Sequence, residues 1–165
     1  MIPEPSEVTP ESRFEAAIIE AVREITKEAS CNCTVIPRFG LDVAFFLKTS
    51  NSPYARFLEV KCFTGARPGG VGFGDGRGDG LQVDLLLRSE AELHLMDCAV
   101  RWVLADATKP VGSPRYAVFN SHEAKAAAMN GVSKGKQNNL RIAAFRDRLV
   151  NWPVFYQALK SFLLS

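Results

Sequence analysis

Residues 56–63 read Arg-Phe-Leu-Glu-Val-Lys-Cys-Phe, an apolar run in which a carboxylate and an amine stand two positions apart. Its aromatic and aliphatic content predicts a buried β-strand. Side chains two residues apart on a strand share a face and lie roughly 6.5 Å apart, so Glu59 and Lys61 should project together. Two charges on one face of a core strand need a specific reason, because burying a charge without a partner is costly.

A second strand-like run, residues 41–47, lies upstream and carries Asp42 near its start. Turn-forming residues 49–53 join the two runs, so we expect them to pair as a hairpin with Asp42 beside Glu59 and Lys61. Mg²⁺ prefers oxygen ligands and is commonly held by one or two carboxylates plus substrate phosphate oxygens. The two carboxylates would supply those ligands, and the lysine would orient water and stabilise the charge that develops during phosphodiester hydrolysis.

This arrangement resembles the PD-(D/E)xK nuclease superfamily, whose core runs helix, three strands, helix, strand, with Asp on the second strand and Glu-x-Lys on the third. The resemblance covers residues 11–63 closely and the remainder loosely. It implies an α/β, restriction-endonuclease-like fold: a three-layer core with a mixed central sheet flanked by helices, and extra C-terminal helices. It also implies a Mg²⁺- or Mn²⁺-dependent deoxyribonuclease in which Asp42, Glu59 and the carbonyl of Val60 bind metal and Lys61 assists the water.

The family often carries a glutamate on its first helix, with apolar residues three, four and seven positions later. Glu15 meets this pattern and is the residue that the resemblance assigns to the site. Glu11 is the competitor, although its +4 position is charged. Leu41 stands where the family nominally has proline before the aspartate, a proline that many members lack. Some members place a glutamine after the lysine, which makes Gln82 a candidate supporting contact.

The spacing alone is not specific, because Asp106, Glu123 and Lys125 repeat it. Residues 123–128 are rich in strong helix formers, however, and residues two apart on a helix do not share a face. We interpret this second match as a solvated helix start. For the first match, the alternative is a surface hairpin whose Glu and Lys form an ordinary exposed side. The phenylalanines of both runs favour a buried sheet.

Length and composition fit one domain. The chain has 165 residues, 47% hydrophobic and 23% charged, enough for a single sizeable core. We expect a nuclease-like core over about residues 11–120 and a basic helical part over 121–165. No window approaches ~18 consecutive apolar residues, and the first residues lack the features of a secretory signal, so we expect a cytoplasmic protein with no membrane partner. The four cysteines should be reduced, and their spacing does not suit structural zinc.

The net charge of +2 conceals an uneven distribution. Residues 1–30 carry seven glutamates against three lysines or arginines, whereas residues 121–165 carry seven lysines or arginines against two acidic residues. Lys134, Lys136 and Arg141 could therefore neutralise phosphates flanking the cleaved bond. A solvated helix face explains these charges equally well.

Half of residues 65–80 are glycine, and the segment carries Arg67 and Arg77. It lacks the Gly-Lys-Ser/Thr ending of a P-loop. Two interpretations stay open: a disordered surface loop, or a mobile flap whose backbone amides and arginines meet phosphates when nucleic acid binds.

The rest of the pattern predicts the remaining elements. Helices are expected at residues 10–29, 123–130, 136–150 and 154–164, and strands at 34–37, 99–105 and 116–119. The first helix should pack on the sheet through Phe14, Ile18, Val22 and Ile25. Residues 81–87 fit a strand or a helix start, and residues 89–96 fit a helix.

Two other functions remain open besides the nuclease. The chain could be a catalytically silent nucleic-acid-binding module, or a nuclease-fold subunit that needs a partner. The expected partner of the enzyme is nucleic acid, with DNA ahead of RNA. A homodimer is also possible, because small nucleases of this fold often dimerise to treat two strands.

Overall fold

The computed structural model of the chain describes residues 1–6, 11–30, 32–37, 43–48, 53–66, 70–72, 98–129 and 139–165. The helices are α1 (Glu11–Glu28), α2 (Ser121–Met129) and α3 (Trp152–Leu164), with a 3₁₀ helix at Ile142–Arg148. The strands are β1 (Asn32–Pro37), β2 (Val43–Lys48), β3 (Pro53–Phe63), β4 (Gly70–Gly72), β5 (Cys98–Asp106), β6 (Tyr116–Phe119) and β7 (Asn139–Arg141). The predicted mixed α/β class is confirmed.

Five strands form one mixed sheet in the order β1-β2-β3-β5-β6. The first three are an antiparallel meander, β5 runs parallel to β3, and β6 is antiparallel to β5. The hairpin predicted between the second and third strands is therefore confirmed. A parallel pair needs a crossover of about a dozen residues or more, and the chain between β3 and β5 supplies that length.

Helices lie on both faces of this sheet. On one face, α1 and α3 form a single hydrophobic cluster with Leu58, Val60 and Cys62 of β3. On the other face, the 3₁₀ helix packs its Phe145 ring 4.3 Å from the ring of Phe119, and α2 contacts β5. Alternate residues of β3 thus face two different helical layers.

The apolar stripe predicted on the first helix is confirmed. Phe14, Ile18, Val22 and Ile25 are fully buried, at the three- and four-residue spacing that an amphipathic helix requires. Each buried side chain of this size stabilises the fold by roughly 1.5–3 kcal/mol. The ring of Phe14 stacks on Tyr116 of β6 with centroids 5.9 Å apart. The first turn of α1 is thereby held against the sheet.

The helix predicted over residues 136–150 is wrong. Residues 139–141 form β7, which pairs with β4, and the 3₁₀ helix follows. Arg141 stands before that helix with an extended backbone, φ −76° and ψ 122°. Pairing with a distant segment satisfies the backbone groups of β7, and such tertiary pairing readily overrides a modest helix propensity. Residues 136–138 lie outside the described part of the chain.

Part of the glycine-rich segment is a strand rather than a loop. Gly70 lies opposite Arg141 in the antiparallel β4–β7 pair, and β4 also contacts β3 and the 3₁₀ helix. Just after β3, Gly65 has φ +80°, which favours glycine, and an added Cβ there would lie 3.2 Å from Thr108 Cγ2. Residues 67–69 and 73–97 lie outside the described residues.

The second Asp, Glu and Lys match is a helix start, as predicted. The Glu123 N–H donates to Asn120 Oδ1 over 2.9 Å, and the Asn120 N–H donates to Glu123 Oε2 over 2.8 Å. This reciprocal pair is a capping box. The side chain of Asp106 instead accepts a hydrogen bond from the Thr108 N–H at the end of β5.

The last helix begins earlier than predicted. Trp152 and Pro153 belong to the first turn of α3, and the Asn151 side chain caps it by accepting from the Val154 N–H. Proline is tolerated in a first turn because the N–H it lacks has no partner within the helix there. Over the described ranges, no helix is long and apolar enough to cross a membrane.

Candidate active site

Glu59 and Lys61 lie side by side on β3, the middle strand of the sheet. Lys61 Nζ donates to Glu59 Oε1 over 2.9 Å. Lys61 is only 8% exposed and Glu59 only 1% exposed. The alternative of an exposed hairpin side is therefore wrong: this is a buried pair, in which each charge depends on its partners for compensation.

The neighbouring strand β5 lines one side of this site. In the parallel β3–β5 pair, Glu59 lies opposite Trp102 and Lys61 lies opposite Leu104. Trp102 is fully buried, and the centroid of its ring is 6.0 Å from Lys61 Nζ. The ammonium thus lies near both a carboxylate and an aromatic ring. Trp102 has no signal as a site residue in the sequence, because no local pattern gives the register between β3 and β5.

A second carboxylate approaches the lysine from α1. Glu11 Oε1 is 3.7 Å from Lys61 Nζ, and the Glu11 side chain is 47% exposed. Glu11 lies in the first turn of α1, where the helix dipole stabilises a negative charge. The glutamate that this contact brings close to Lys61 is thus Glu11, which the apolar spacing favours less than Glu15. Glu15 lies one turn further along α1 and is half-buried.

Asp42, the predicted second metal ligand on the hairpin, lies outside the described residues. Its sequence neighbour Val43 begins β2 and pairs with Leu58, which is the sequence neighbour of Glu59.

Of the other predicted site residues, the structure describes Val60 and Arg141. Val60 lies between the charged pair, with its side chain in the cluster under α1 and α3. Arg141 is exposed at the end of β7. The remaining candidates are Arg67, Arg77, Gln82, Lys134 and Lys136, and all lie outside the described residues.

Cys62 follows the site lysine on β3 and is buried. Burial raises the pKa of its thiol to about 12, and the negative charge of Glu11 adds to the rise. A thiol with a pKa this high is neutral across the physiological range, so Cys62 is a poor nucleophile.

Cys62 should therefore resist alkylation in the folded protein. At neutral pH, we expect its reaction with iodoacetamide to be slower by roughly two to three orders of magnitude than in the urea-unfolded chain. Peptide mapping by mass spectrometry follows this residue separately from the other three cysteines. Equal rates in the folded and unfolded chains would show that the end of β3 is open to solvent.

The donors at this site suit a hard cation. The carboxylates of Glu59 and Glu11 lie close to Lys61 Nζ, and carboxylate oxygen is the ligand that Mg²⁺ and Mn²⁺ prefer. Among the described residues no group of three or more His, Cys, Asp or Glu side chains could hold a metal ion, and Asp42 is not among them. One or two carboxylates are compatible with Mg²⁺, which takes its remaining ligands from substrate oxygens and water.

Comparison of the chain with models of known protein families, with curated proteins and with solved structures finds no match. Functional assignment of the site therefore depends on its residues and their geometry.

Proposed function

We propose that this chain is a metal-dependent nuclease of the PD-(D/E)xK type that hydrolyses phosphodiester bonds in DNA. The observation that carries the proposal is the buried contact of 2.9 Å between Lys61 Nζ and Glu59 Oε1 on the middle strand. A charge pair in this position costs desolvation energy, and a hydrophobic pair of similar size would often be as stable. Catalytic use of the two groups explains why the strand carries them.

The order of the elements supports the proposal. A helix, three strands and a later strand follow one another, which agrees with the element order of the superfamily core. Glu59 and Lys61 lie on the third strand, where the family has its Glu-x-Lys. The family's second core helix would fall between β3 and β5, within residues 73–97 that the structure does not describe.

The register of the hairpin supports Asp42 as the second carboxylate. Asp42 precedes Val43 in the sequence and Glu59 follows Leu58, and Val43 and Leu58 are paired. A carboxylate from each of two neighbouring strands could bind one divalent cation between them.

The protein groups have separate roles in the proposed reaction. Hydrolysis forms a bond from a water oxygen to phosphorus and breaks the bond from phosphorus to one sugar oxygen. When bound, Mg²⁺ or Mn²⁺ would polarise the phosphate and promote formation of the attacking hydroxide. Asp42 and Glu59 would hold the cation, with the Val60 carbonyl as a further donor. Lys61 orients the water and stabilises the negative charge that develops on phosphate, which a preorganised cation in a water-poor site does effectively.

Glu11 and Glu15 are the two candidates for the site carboxylate that α1 contributes. Because the Glu11 carboxylate lies 3.7 Å from Lys61 Nζ, we expect Glu11→Gln to lower kcat by about tenfold or more and Glu15→Gln to have the smaller effect. Glu20→Gln is the matched control, since Glu20 is an exposed residue of α1 paired with Arg23. A larger loss of kcat in Glu15→Gln than in Glu11→Gln would show that Glu15 is the site carboxylate of α1.

The DNA contacts remain predictions. They are assigned to Arg67, Arg77, Lys134, Lys136 and Arg141, with Gln82 as a supporting polar group near the site. The β4–β7 pair joins the glycine-rich segment to the basic C-terminal part, which supports one common phosphate-binding region rather than two. A homodimer would let two such sites act on the two strands of a duplex.

Metal-dependent cleavage tests the proposed function. Purified wild-type and Asp42→Ala proteins are incubated with supercoiled, linear and branched DNA in Mg²⁺ or Mn²⁺, with EDTA as the control. We expect cleavage by the wild type only with the metal, and none by the variant. Cleavage that survives both EDTA and the substitution would contradict the proposal.

The burial of Glu59 favours one alternative, a nuclease-fold subunit that needs a partner. With 1% of Glu59 exposed, DNA reaches the carboxylate only after the surrounding elements move, and a partner could drive that movement. Absence of cleavage by a folded, metal-binding wild type would favour this alternative. A folded protein that binds DNA but no divalent metal would favour a silent binding module.

A further inference from the structure

Trp102 contacts the charged pair from the neighbouring strand. Its ring centroid is 6.0 Å from Lys61 Nζ, and its backbone is in register with Glu59. A cation within about 6 Å of an indole face is attracted by the electrons of the ring, and the attraction is strongest where water is excluded. Both residues are buried, so this condition is met.

The indole itself is held in place on two sides. Its Nε1–H donates to Ser121 Oγ over 3.1 Å, and both residues are fully buried. Ser121 is the first residue of α2, directly after the capping residue Asn120. The ring also stacks on Phe119, with centroids 6.2 Å apart and planes 21° apart. These contacts prevent the ring from turning, so it forms a rigid surface beside Lys61.

We propose that Trp102 is a positioning residue: it holds the Lys61 ammonium beside the Glu59 carboxylate and so fixes where that ammonium meets the scissile phosphate. This inference rests on the proposed function. Lysine carries its charge on a flexible four-carbon stem. Without the indole, the ammonium would be free to swing toward Glu11, which already lies 3.7 Å away. Misplacement of this kind slows the chemical step, while DNA binding at the surface is unaffected.

The kinetic test separates kcat from KM. We expect Trp102→Leu to lower kcat by about tenfold, as the loss of a desolvated cation–π contact allows, with KM for DNA unchanged. Trp102→Phe keeps an aromatic face and should recover most of the rate. Ser121→Ala removes one of the two contacts that hold the ring but keeps the indole, so it should cost less than Trp102→Leu. A folded Trp102→Leu protein with wild-type kcat, or one with only KM altered, would overturn the inference.

A spectroscopic test keeps the indole intact and does not depend on cleavage. The chain has two tryptophans, and Trp152 belongs to the cluster on the opposite face of the sheet. In a Trp152→Phe background, Lys61→Met should shift the emission of Trp102, because the ammonium beside its ring is gone. In a Trp102→Phe background, the same substitution should leave the emission of Trp152 unchanged.

The two tests distinguish failure of this inference from failure of the proposed function. If Trp102 emission does not respond to Lys61→Met, the ring does not position the ammonium, whether or not the protein cleaves DNA. If emission responds but the folded wild type never cleaves DNA, the contact between Trp102 and Lys61 stands, and an autonomous nuclease is contradicted.

Discussion

Replacing Lys61 with methionine should abolish metal-dependent DNA cleavage while leaving Mn²⁺ binding within a few-fold of wild type. Methionine fills similar space but cannot orient water or stabilise charge on phosphate. Loss of one preorganised donor to a transition state costs about 10²–10³ in kcat. Lys61 is not a metal ligand in this mechanism, so Mn²⁺ titration calorimetry should still detect the site. Glu59→Gln, in contrast, should lose both binding and cleavage.

Lys160→Met is a matched control for this prediction. Lys160 also pairs with a glutamate, Glu28, over 3.1 Å, but both side chains are partly exposed on the helical surface. An exposed pair of this kind contributes about 0–1 kcal/mol, and it lies outside the proposed site. Cleavage by Lys160→Met should equal that of the wild type. Wild-type cleavage by Lys61→Met would remove Lys61 from the mechanism.

The second large effect concerns stability. Lys61→Met takes an ammonium away from the buried carboxylate of Glu59, and breaking a buried pair on one side typically costs about 3–5 kcal/mol. The double variant Glu59→Gln/Lys61→Met removes both charges, so we expect it to regain most of that loss. Urea unfolding of the wild type, the two single variants and the double variant measures the coupling between the residues directly.

This cycle separates a folding effect from a catalytic one. The double variant should be folded and nearly as stable as the wild type, yet inactive. If it were as unstable as Lys61→Met alone, the lysine would stabilise the fold by a route other than its pairing with Glu59. That outcome would weaken the view that the strand carries this pair for catalysis.

Local periodicity was sufficient to predict the part of the fold that bears the charged pair. The three- and four-residue spacing from Phe14 to Ile25 predicts α1, and the turn residues before β3 predict its hairpin with β2. The two-residue spacing of Glu59 and Lys61 predicts their shared face, and the 2.9 Å contact agrees. Each of these features depends on residues close together in the sequence.

Features that depend on long-range packing were missed. The β4–β7 pair joins segments far apart in the sequence, so the local pattern of residues 139–141 wrongly predicts a helix. The parallel register that sets Trp102 beside Glu59 has no local signal either. The choice between Glu11 and Glu15 depends on where α1 begins relative to the end of β3, and the apolar spacing does not determine that.

The most direct test of the nuclease assignment is the rate of supercoiled plasmid cleavage as Mg²⁺ is raised, for wild type and Glu59→Gln/Lys61→Met in parallel. Urea unfolding first establishes that both proteins are folded. We predict cleavage by the wild type that rises with Mg²⁺ and stops on addition of EDTA, and none by the double variant. Equal cleavage by both proteins would contradict the assignment of these residues, and no cleavage by the folded wild type would contradict an autonomous nuclease.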